Sequence, residues 1–178
     1  MDRETRRERW EWIKAILLAA VLALGVRVFL FEIITIHQSS MYPNFQEADR
    51  VVIGKMVYRF QEPKRGDVVV FKTDLMAMPL IKRAIGLPGE TVEIHDNAVY
   101  IDGERLTEPY LYHTMYGEYG PVTVPTDCVF FLGDNRNSSE DSRWPGIGMI
   151  PYDNIRGKVR MRIWPLVRAA WISNPCEE

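Results

Sequence analysis

The chain has 178 residues, which is enough for one domain with a hydrophobic core. Its composition, 47% apolar and 26% charged, is that of a folded globular protein, and its net charge of −2 offers no basic field for nucleic acid. The two cysteines, Cys128 and Cys176, form no C-x-x-C pair, which argues against a zinc site and favours a buried free thiol at Cys128 over a disulfide between the two.

The most apolar part of the chain is residues 13–36, with the sequence IKAILLAAVLALGVRVFLFEIITI. About 20 residues from Trp12 to Phe31 would span ~30 Å as a helix, close to the hydrocarbon thickness of a bilayer, so we predict a transmembrane anchor. Arg27 interrupts it near the far end, where a side chain can snorkel to the headgroups. The arginines before the segment predict a cytoplasmic N-terminus over residues 1–12. Because FEIITIHQSS contains no A-x-A-like cleavage site, we favour an uncleaved anchor over a cleaved signal peptide.

Residues 37–178 are predicted to form one extracytoplasmic β domain. Short runs rich in Val and Ile show a period of two and are bounded by turn residues. These runs are DRVVIGKMVY, GDVVVFK, LIKRAIG, ETVEIHD, AVYIDG, CVFFLGD and GKVRMRIW. Two turn signals, Asp96-Asn97 and Asp102-Gly103, predict a pair of hairpins. The expected fold class is therefore mostly β: one N-terminal transmembrane helix followed by a single antiparallel β domain, a folded sheet or barrel that protects its edges.

Two serines, Ser39 and Ser40, stand in HQSSMYPNF directly after the apolar segment. A serine hydroxyl is a weak nucleophile and needs a base, but the three histidines lie in separate segments and suggest no Ser-His-Asp triad. Lys82, in PLIKRAIGLPG, has apolar neighbours on both faces of its strand, and burial would lower its pKa from the usual value of about 10.4. A strand lysine is more often exposed to solvent, so this pattern alone does not decide between a catalytic and a structural lysine.

A third polar stretch, FLGDNRNSSEDSR at residues 131–143, follows an apolar strand. One interpretation is a hydrated surface loop. The other is a half-buried network of its Asp and Arg residues, with the neighbouring serines, that orients a catalytic amine.

Taken together, the segments resemble the bacterial type I signal peptidases, which are membrane-anchored serine endopeptidases with a Ser-Lys dyad. The matching sequences are SSMYPNF, RGDVVVF, IKRAIGLPGETVEI and GDNRNSSEDSR, in the order of the family, and the resemblance extends from Leu17 to Arg168. It implies a signal-peptidase-like β fold and a peptide-bond hydrolase that removes signal peptides from translocated preproteins after small residues at −1 and −3.

The resemblance also implies roles for individual residues. Ser40, and not Ser39, takes the position of the nucleophile, and its backbone N–H is an oxyanion donor. Lys82 takes the position of the general base. Ser139 takes the position of a hydroxyl that hydrogen-bonds the lysine amine. Asp141 and Arg143 take the positions of an ion pair that braces this region.

Two further positions concern the substrate and the oxyanion. Met41 is expected near the pocket for the small substrate residue. Gln38 departs from the family, because many members have a serine there whose hydroxyl helps to form the oxyanion hole, and others have a glycine. The second oxyanion donor is therefore either the Gln38 side chain or a backbone N–H. Asn44-Phe45 is a second departure, where Thr-Leu is common.

The partners that the resemblance implies are preprotein signal peptides and the lipid bilayer. We expect a monomer at the cell membrane, single-pass, with the catalytic domain on the outer face, and we expect no metal, no cofactor and no nucleic acid. Two alternatives stay in view. A self-cleaving Ser-Lys protein of the SOS-repressor type would need a DNA-binding helical domain in place of the apolar segment. A membrane-tethered β binding module would have no catalytic use for the lysine.

Overall fold

The computed structural model describes residues 3–176, apart from the side chains of residues 3–6, 23 and 26–28. The chain begins with helix α1 (Arg3–Phe29) and passes at Leu30 directly into the first strand. The predicted snorkelling of Arg27 lies outside the described residues.

The predicted transmembrane helix is wrong. Among the described residues, no helix is both long enough and apolar enough to cross a bilayer. In the sequence of α1, Lys14 and Arg27 confine the uninterrupted apolar run to residues 15–26, which is about 18 Å of helix, against ~30 Å for a hydrocarbon core. The prediction counted residues 13–36 as one apolar segment and gave these two charges too little weight.

Twelve strands follow α1 in the described part of the chain. They are β1 (Phe31–Thr35), β2 (Arg50–Gly54), β3 (Val68–Phe71), β4 (Leu80–Gly86), β5 (Thr91–His95), β6 (Ala98–Ile101), β7 (Glu104–Arg105), β8 (Tyr119–Thr123), β9 (Cys128–Leu132), β10 (Ile150–Pro151), β11 (Ile155–Trp164) and β12 (Ala170–Trp171).

The strands form two antiparallel sheets. The larger sheet has the order β1-β2-β11-β3-β4-β9-β10, with β12 paired to β11, and the smaller has the order β7-β6-β5-β8. The mostly β, antiparallel part of the predicted fold is thus confirmed, and each of the seven predicted runs contains an observed strand. β1 was hidden in the apolar run, and β8 was missed because its residues are mostly exposed and include a proline.

The two predicted turns are confirmed. Asp96 and Asn97, with φ of 49° and 61°, connect β5 to β6, and Asp102 and Gly103, with φ of 52° and 82°, connect β6 to β7. Consecutive positive φ values match the right-handed twist of the flanking strands, and Asn, Asp and Gly tolerate them best.

Strand β4, which contains Lys82, is buried within the larger sheet. β4 lies between β3 and β9, and all of its residues from Leu80 to Gly86 are buried. Leu80 and Ala84 belong to an apolar cluster with Phe71 and Phe131. Because side chains alternate along a strand, Lys82 points to the same face as these two neighbours, and its amine is therefore removed from bulk water.

Cys128 is a buried free thiol, and Cys176 is also free.

Replacing Phe131 by alanine should destabilise the fold by about 3–5 kcal/mol, because a fully buried aromatic side chain is lost and a cavity is left. The Phe131 ring stacks on Phe71 with centroids 4.8 Å apart. Urea unfolding would measure the change. Tyr112→Ala is the matched control, since Tyr112 is exposed and its loss should change the free energy of unfolding by no more than about 0.5 kcal/mol. A similar small effect for Phe131→Ala would contradict this assignment of the core.

Candidate active site

The serine-containing segment forms a compact turn between β1 and β2. The Tyr42 N–H donates to the Ser39 carbonyl at 3.0 Å, and the Phe45 N–H donates to the Met41 carbonyl at 2.9 Å. Met41 and Phe45 are buried and anchor the turn in the core. The Asn135 N–H donates to the Ser40 carbonyl at 2.9 Å, so the turn is also tied to the third polar stretch.

Ser40 meets Lys82 inside the protein. The Lys82 Nζ lies 2.6 Å from the Ser40 Oγ, across 42 positions of sequence. Lys82 is 1% exposed and Ser40 is 6% exposed. Ser39 is exposed, and only its carbonyl contributes to the turn. The structure thus separates two serines that are adjacent in sequence.

The environment of Lys82 favours a neutral amine. Burial lowers its pKa from 10.5 to about 8, because removal from water disfavours the charged form. The carboxylates of Asp141, Glu140 and Asp134 oppose this effect, and the Arg143 guanidinium supports it. Desolvation is the largest of these contributions, so the amine has a substantial neutral fraction near pH 8.

The third polar stretch is a braced loop rather than a hydrated one. Asp141 is fully buried and binds Arg143 through two contacts of 2.8 and 2.9 Å. The Asp141 carboxylate also accepts from the Gly133 N–H at 3.1 Å, and Arg143 donates to the Arg136 carbonyl at 2.6 Å. The ion pair that the resemblance implied is therefore present, and it joins the two ends of the loop.

Ser139 lies beside the Ser40–Lys82 pair, but its expected contact with Lys82 is not made. Within the described residues, its Oγ is buried and has no hydrogen-bond partner, so the bond to Lys82 is not observed. The Ser139 side chain packs against Gly133, where a Cβ would lie 2.2 Å from the Ser139 Oγ and 2.5 Å from the Ser40 carbonyl oxygen. Only glycine fits this position without movement of its neighbours.

A second buried ion pair, between Arg83 and Asp134, lies next to Lys82. The sequence analysis did not predict this pairing. Arg83 binds Asp134 through contacts of 2.8 and 2.7 Å, and its guanidinium stacks 4.0 Å from the centre of the Tyr110 ring. Asn44 donates to the Asp134 carboxylate at 2.8 Å and to the Tyr110 carbonyl at 2.9 Å. The sequence feature that could have predicted this pair is Arg83 itself, which stands inside an apolar strand. A buried guanidinium requires a carboxylate partner.

One cavity is lined by the Ser40–Lys82 pair, and a second adjoins it through His37 and Gln38. The first, of about 530 Å³, is called the catalytic cavity. Its lining residues are His37, Gln38, Ser39, Ser40, Glu47, Leu80, Lys82, Asn137, Ser138, Ser139, Glu140 and Trp144. The second, of about 270 Å³, is called the apolar cleft. Its lining residues are Ile34, Thr35, Ile36, His37, Gln38, Val51, Val70, Met78, Pro79, Ile81 and Arg156.

Of the two residues predicted to contact the oxyanion or the substrate, Gln38 lines the cavities and Met41 does not. Gln38 lines both cavities, next to Ser40. Met41 is fully buried in the core and lines neither cavity, although it packs in the same apolar cluster as Ile36 and Ile81 of the cleft. Its influence on the cleft would therefore be exerted through packing rather than by contact with a substrate.

Comparison with known proteins identifies the family of the chain. The family model described as signal peptidase, peptidase S26, matches residues 9–164. The signal peptidase I of Bacillus amyloliquefaciens is 40% identical over 166 residues, covering 88% of this chain and 86% of its own. Signal peptidase I T of Bacillus subtilis strain 168 is 41% identical over 165 residues, covering 87% and 85%. The chain belongs to the signal peptidase family, peptidase S26. It is a serine endopeptidase.

A solved structure was also matched. The crystal structure of a signal peptidase I from Enterococcus faecalis V583 is 33% identical, with a TM-score of 0.49, and the match covers 55% of this chain and 97% of that chain.

Gly133→Ala should reduce peptide cleavage at least about tenfold and lower the free energy of unfolding by roughly 1–3 kcal/mol, because the added methyl group overlaps Ser139 and the Ser40 carbonyl. Steady-state cleavage assays and urea unfolding would measure the two effects. Gly25→Ala serves as the control, since nothing lies within 4 Å of its Cβ position. Full activity of Gly133→Ala would show that the contact between Ser139 and Gly133 is not required.

Proposed function

We propose that this protein cleaves signal peptides from translocated preproteins, with Ser40 as nucleophile and Lys82 as general base. The observation that carries the proposal is the 2.6 Å approach of the Ser40 hydroxyl to a buried lysine amine. The relatives named signal peptidase I supply the substrate class. The catalytic cavity opens at this pair and adjoins the apolar cleft at His37 and Gln38, so a peptide has room to approach the serine.

The chemistry begins with a neutral Lys82. The Ser40 hydroxyl donates its proton to the amine as the oxygen attacks the carbonyl carbon of the −1 residue. Lys82 then protonates the leaving nitrogen, and the peptide bond breaks. In the second half the amine takes a proton from water as the water oxygen attacks the acyl-enzyme. The amine then returns this proton to the Ser40 oxygen as the ester bond breaks, which releases the signal peptide. Both halves need the same uncharged amine in the same position.

The oxyanion requires donors that point at the attacked carbonyl. Within the described residues, nothing accepts a hydrogen bond from the Ser40 N–H, so this donor is available to the substrate. We propose Gln38 as the second donor, because it lines the catalytic cavity two positions before Ser40. Loss of one such donor typically raises the barrier by roughly 3–4 kcal/mol.

The substrate would bind as an extended strand. On one side β4 pairs with β3 from Leu80 onward, but on the other side its pairing with β9 begins only at Arg83. Within the described residues, the backbone groups of Ile81 on that side therefore have no strand partner, which suits strand addition. Alternate residues there face different cavities: Ile81 lines the apolar cleft, and Leu80 and Lys82 line the catalytic cavity. The small volume of the cleft supports a requirement for small residues at −1 and −3.

We place this catalytic domain, residues 37–178 together with β1, at the outer surface of the cell membrane. Support comes from exposed apolar side chains on β1, β11, β12 and the turn between β11 and β12, namely Ile33, Trp164, Leu166, Val167 and Trp171. Exposed tryptophans suit the interface between lipid and water. All residues of the site come from one chain, so a monomer is sufficient for the mechanism.

The first test is processing of a preprotein by the detergent-solubilised protein. Ser40→Ala and Lys82→Ala should each abolish processing, whereas Ser39→Ala should retain it, because only Ser40 reaches the amine. Gel separation of precursor from mature product measures the result. If either of the first two variants processed as well as wild type, the Ser40–Lys82 mechanism would be wrong, and a binding module would be favoured.

The rate should also depend on pH in a defined direction. Lys82 must be neutral, so kcat/KM should rise roughly tenfold per pH unit well below pH 8 and level off above the lysine pKa of about 8. Initial rates on a peptide with alanine at −1 and −3 would give the profile between pH 6 and 10. A rise centred near the ordinary lysine value of about 10.4 would contradict a desolvated base.

Lys82→Met should be inactive yet more stable than wild type at neutral pH. The folded-state pKa of Lys82 is lowered to about 8, so the unfolded chain binds an extra proton between about pH 8 and 10.5, and the free energy of unfolding rises with pH in that window. Below pH 8 the lowered pKa of Lys82 reduces the free energy of unfolding by about 3 kcal/mol. A methionine at this position carries no charge and would remove this cost. Urea unfolding at pH 7 and at pH 11 should show a gain that disappears at the higher pH; an equal gain at both would contradict the linkage.

A further inference from the structure

A third cavity, called the aromatic cavity, adjoins the catalytic cavity. It has a volume of about 530 Å³. Its lining residues are Ile94, Tyr116, Gly117, Glu118, Tyr119, Arg136, Asn137, Ser139, Arg143, Trp144 and Pro145. Asn137, Ser139 and Trp144 form a wall shared with the catalytic cavity.

The three cavities form a row. The apolar cleft shares His37 and Gln38 with the catalytic cavity. The aromatic cavity shares Asn137, Ser139 and Trp144 with the catalytic cavity. The Ser40–Lys82 pair lies in the middle cavity. If the residues before the scissile bond occupy the apolar cleft, as the proposed function requires, an extended chain must continue on the far side of Ser40, where the aromatic cavity begins.

The lining of the aromatic cavity suits a peptide rather than an anion. Its two arginines are already neutralised, because Arg136 binds Glu108 and Arg143 binds Asp141. Three aromatic rings remain, on Tyr116, Tyr119 and Trp144. Tyr116 and Trp144 are 69% and 54% exposed, so their faces are available to a ligand. Aromatic rings of this kind bind aliphatic and aromatic side chains by stacking and apolar contact.

We propose that the aromatic cavity is a binding subsite for the first residues of the mature chain, those that follow the scissile bond. Tyr116 and Trp144 contact an apolar or aromatic side chain a few residues after the scissile bond, because their cavity begins at the wall it shares with the cavity that holds Ser40. The inference rests on the proposed function for the direction of the substrate. It adds that recognition extends to the leaving segment and is not confined to the signal peptide.

The test combines two peptides with three enzyme variants. Both peptides have the same signal-side residues with alanine at −1 and −3. The short peptide ends as an amide at +1, and the long peptide continues to +5 with phenylalanine at +3. Cleavage by the full chain in detergent is followed by chromatography of the shared signal-side product. Wild type should cleave the long peptide with a kcat/KM about tenfold higher than the short one.

Tyr116→Ala should reduce that ratio at least about threefold while leaving cleavage of the short peptide unchanged, and Tyr116→Phe should retain the wild-type ratio. Tyr112→Ala is the matched control, because Tyr112 is another exposed tyrosine of the same loop and lines none of the three cavities. A wild-type ratio near one, or an equal loss in Tyr112→Ala, would overturn the subsite. Failure of wild type to cleave even the short peptide would overturn the proposed function and this inference with it.

Discussion

The site depends on removing one lysine amine from water. Lys82 lies in β4, a strand that is buried along its whole length, and its Nζ is within 2.6 Å of the Ser40 hydroxyl. Three carboxylates nearby act to keep the amine charged, yet burial is the stronger influence and lowers its pKa to about 8. The chain therefore carries a destabilising buried group in the centre of its sheet. Such a group is retained where a neutral amine is needed, which is the requirement for a base acting on serine.

Buried ion pairs hold the groups around this amine. Arg83 follows Lys82 in β4, and its pairing with Asp134 connects that strand to the loop that carries Asp141. The Ser40 carbonyl accepts a hydrogen bond from the Asn135 N–H in the same loop, so Ser40 and the strand of Lys82 are both fixed to that loop. A buried ion pair adds little net stability, but breaking one leaves an uncompensated charge, which strongly favours a single arrangement. A single arrangement of these groups keeps the Ser40 hydroxyl within hydrogen-bond distance of the Lys82 amine.

The strands and tight turns were predicted correctly from short sequence patterns. Period-two runs and the positive-φ turns at Asp96-Asn97 and Asp102-Gly103 were recognised, because alternation and turn chemistry involve only neighbouring residues. The transmembrane prediction failed because apolar length was counted across Lys14 and Arg27. β1 was missed for a related reason: an apolar run does not show by itself where a helix ends and a strand begins, and pairing with β2 decides that boundary.

The sequence by itself determined the serine segment and the apolar strand around Lys82, since each depends on residue types within a short stretch. The ion pair of Asp141 with Arg143 was implied by the family resemblance and not by those local patterns. Only the tertiary structure brought the Ser40 hydroxyl to the Lys82 amine, packed Met41 inside the core, and joined Arg83, Asp134 and Asn44 in one network. These contacts join residues 42 to 90 positions apart. Their geometry follows from strand order and register, which no short stretch of sequence contains.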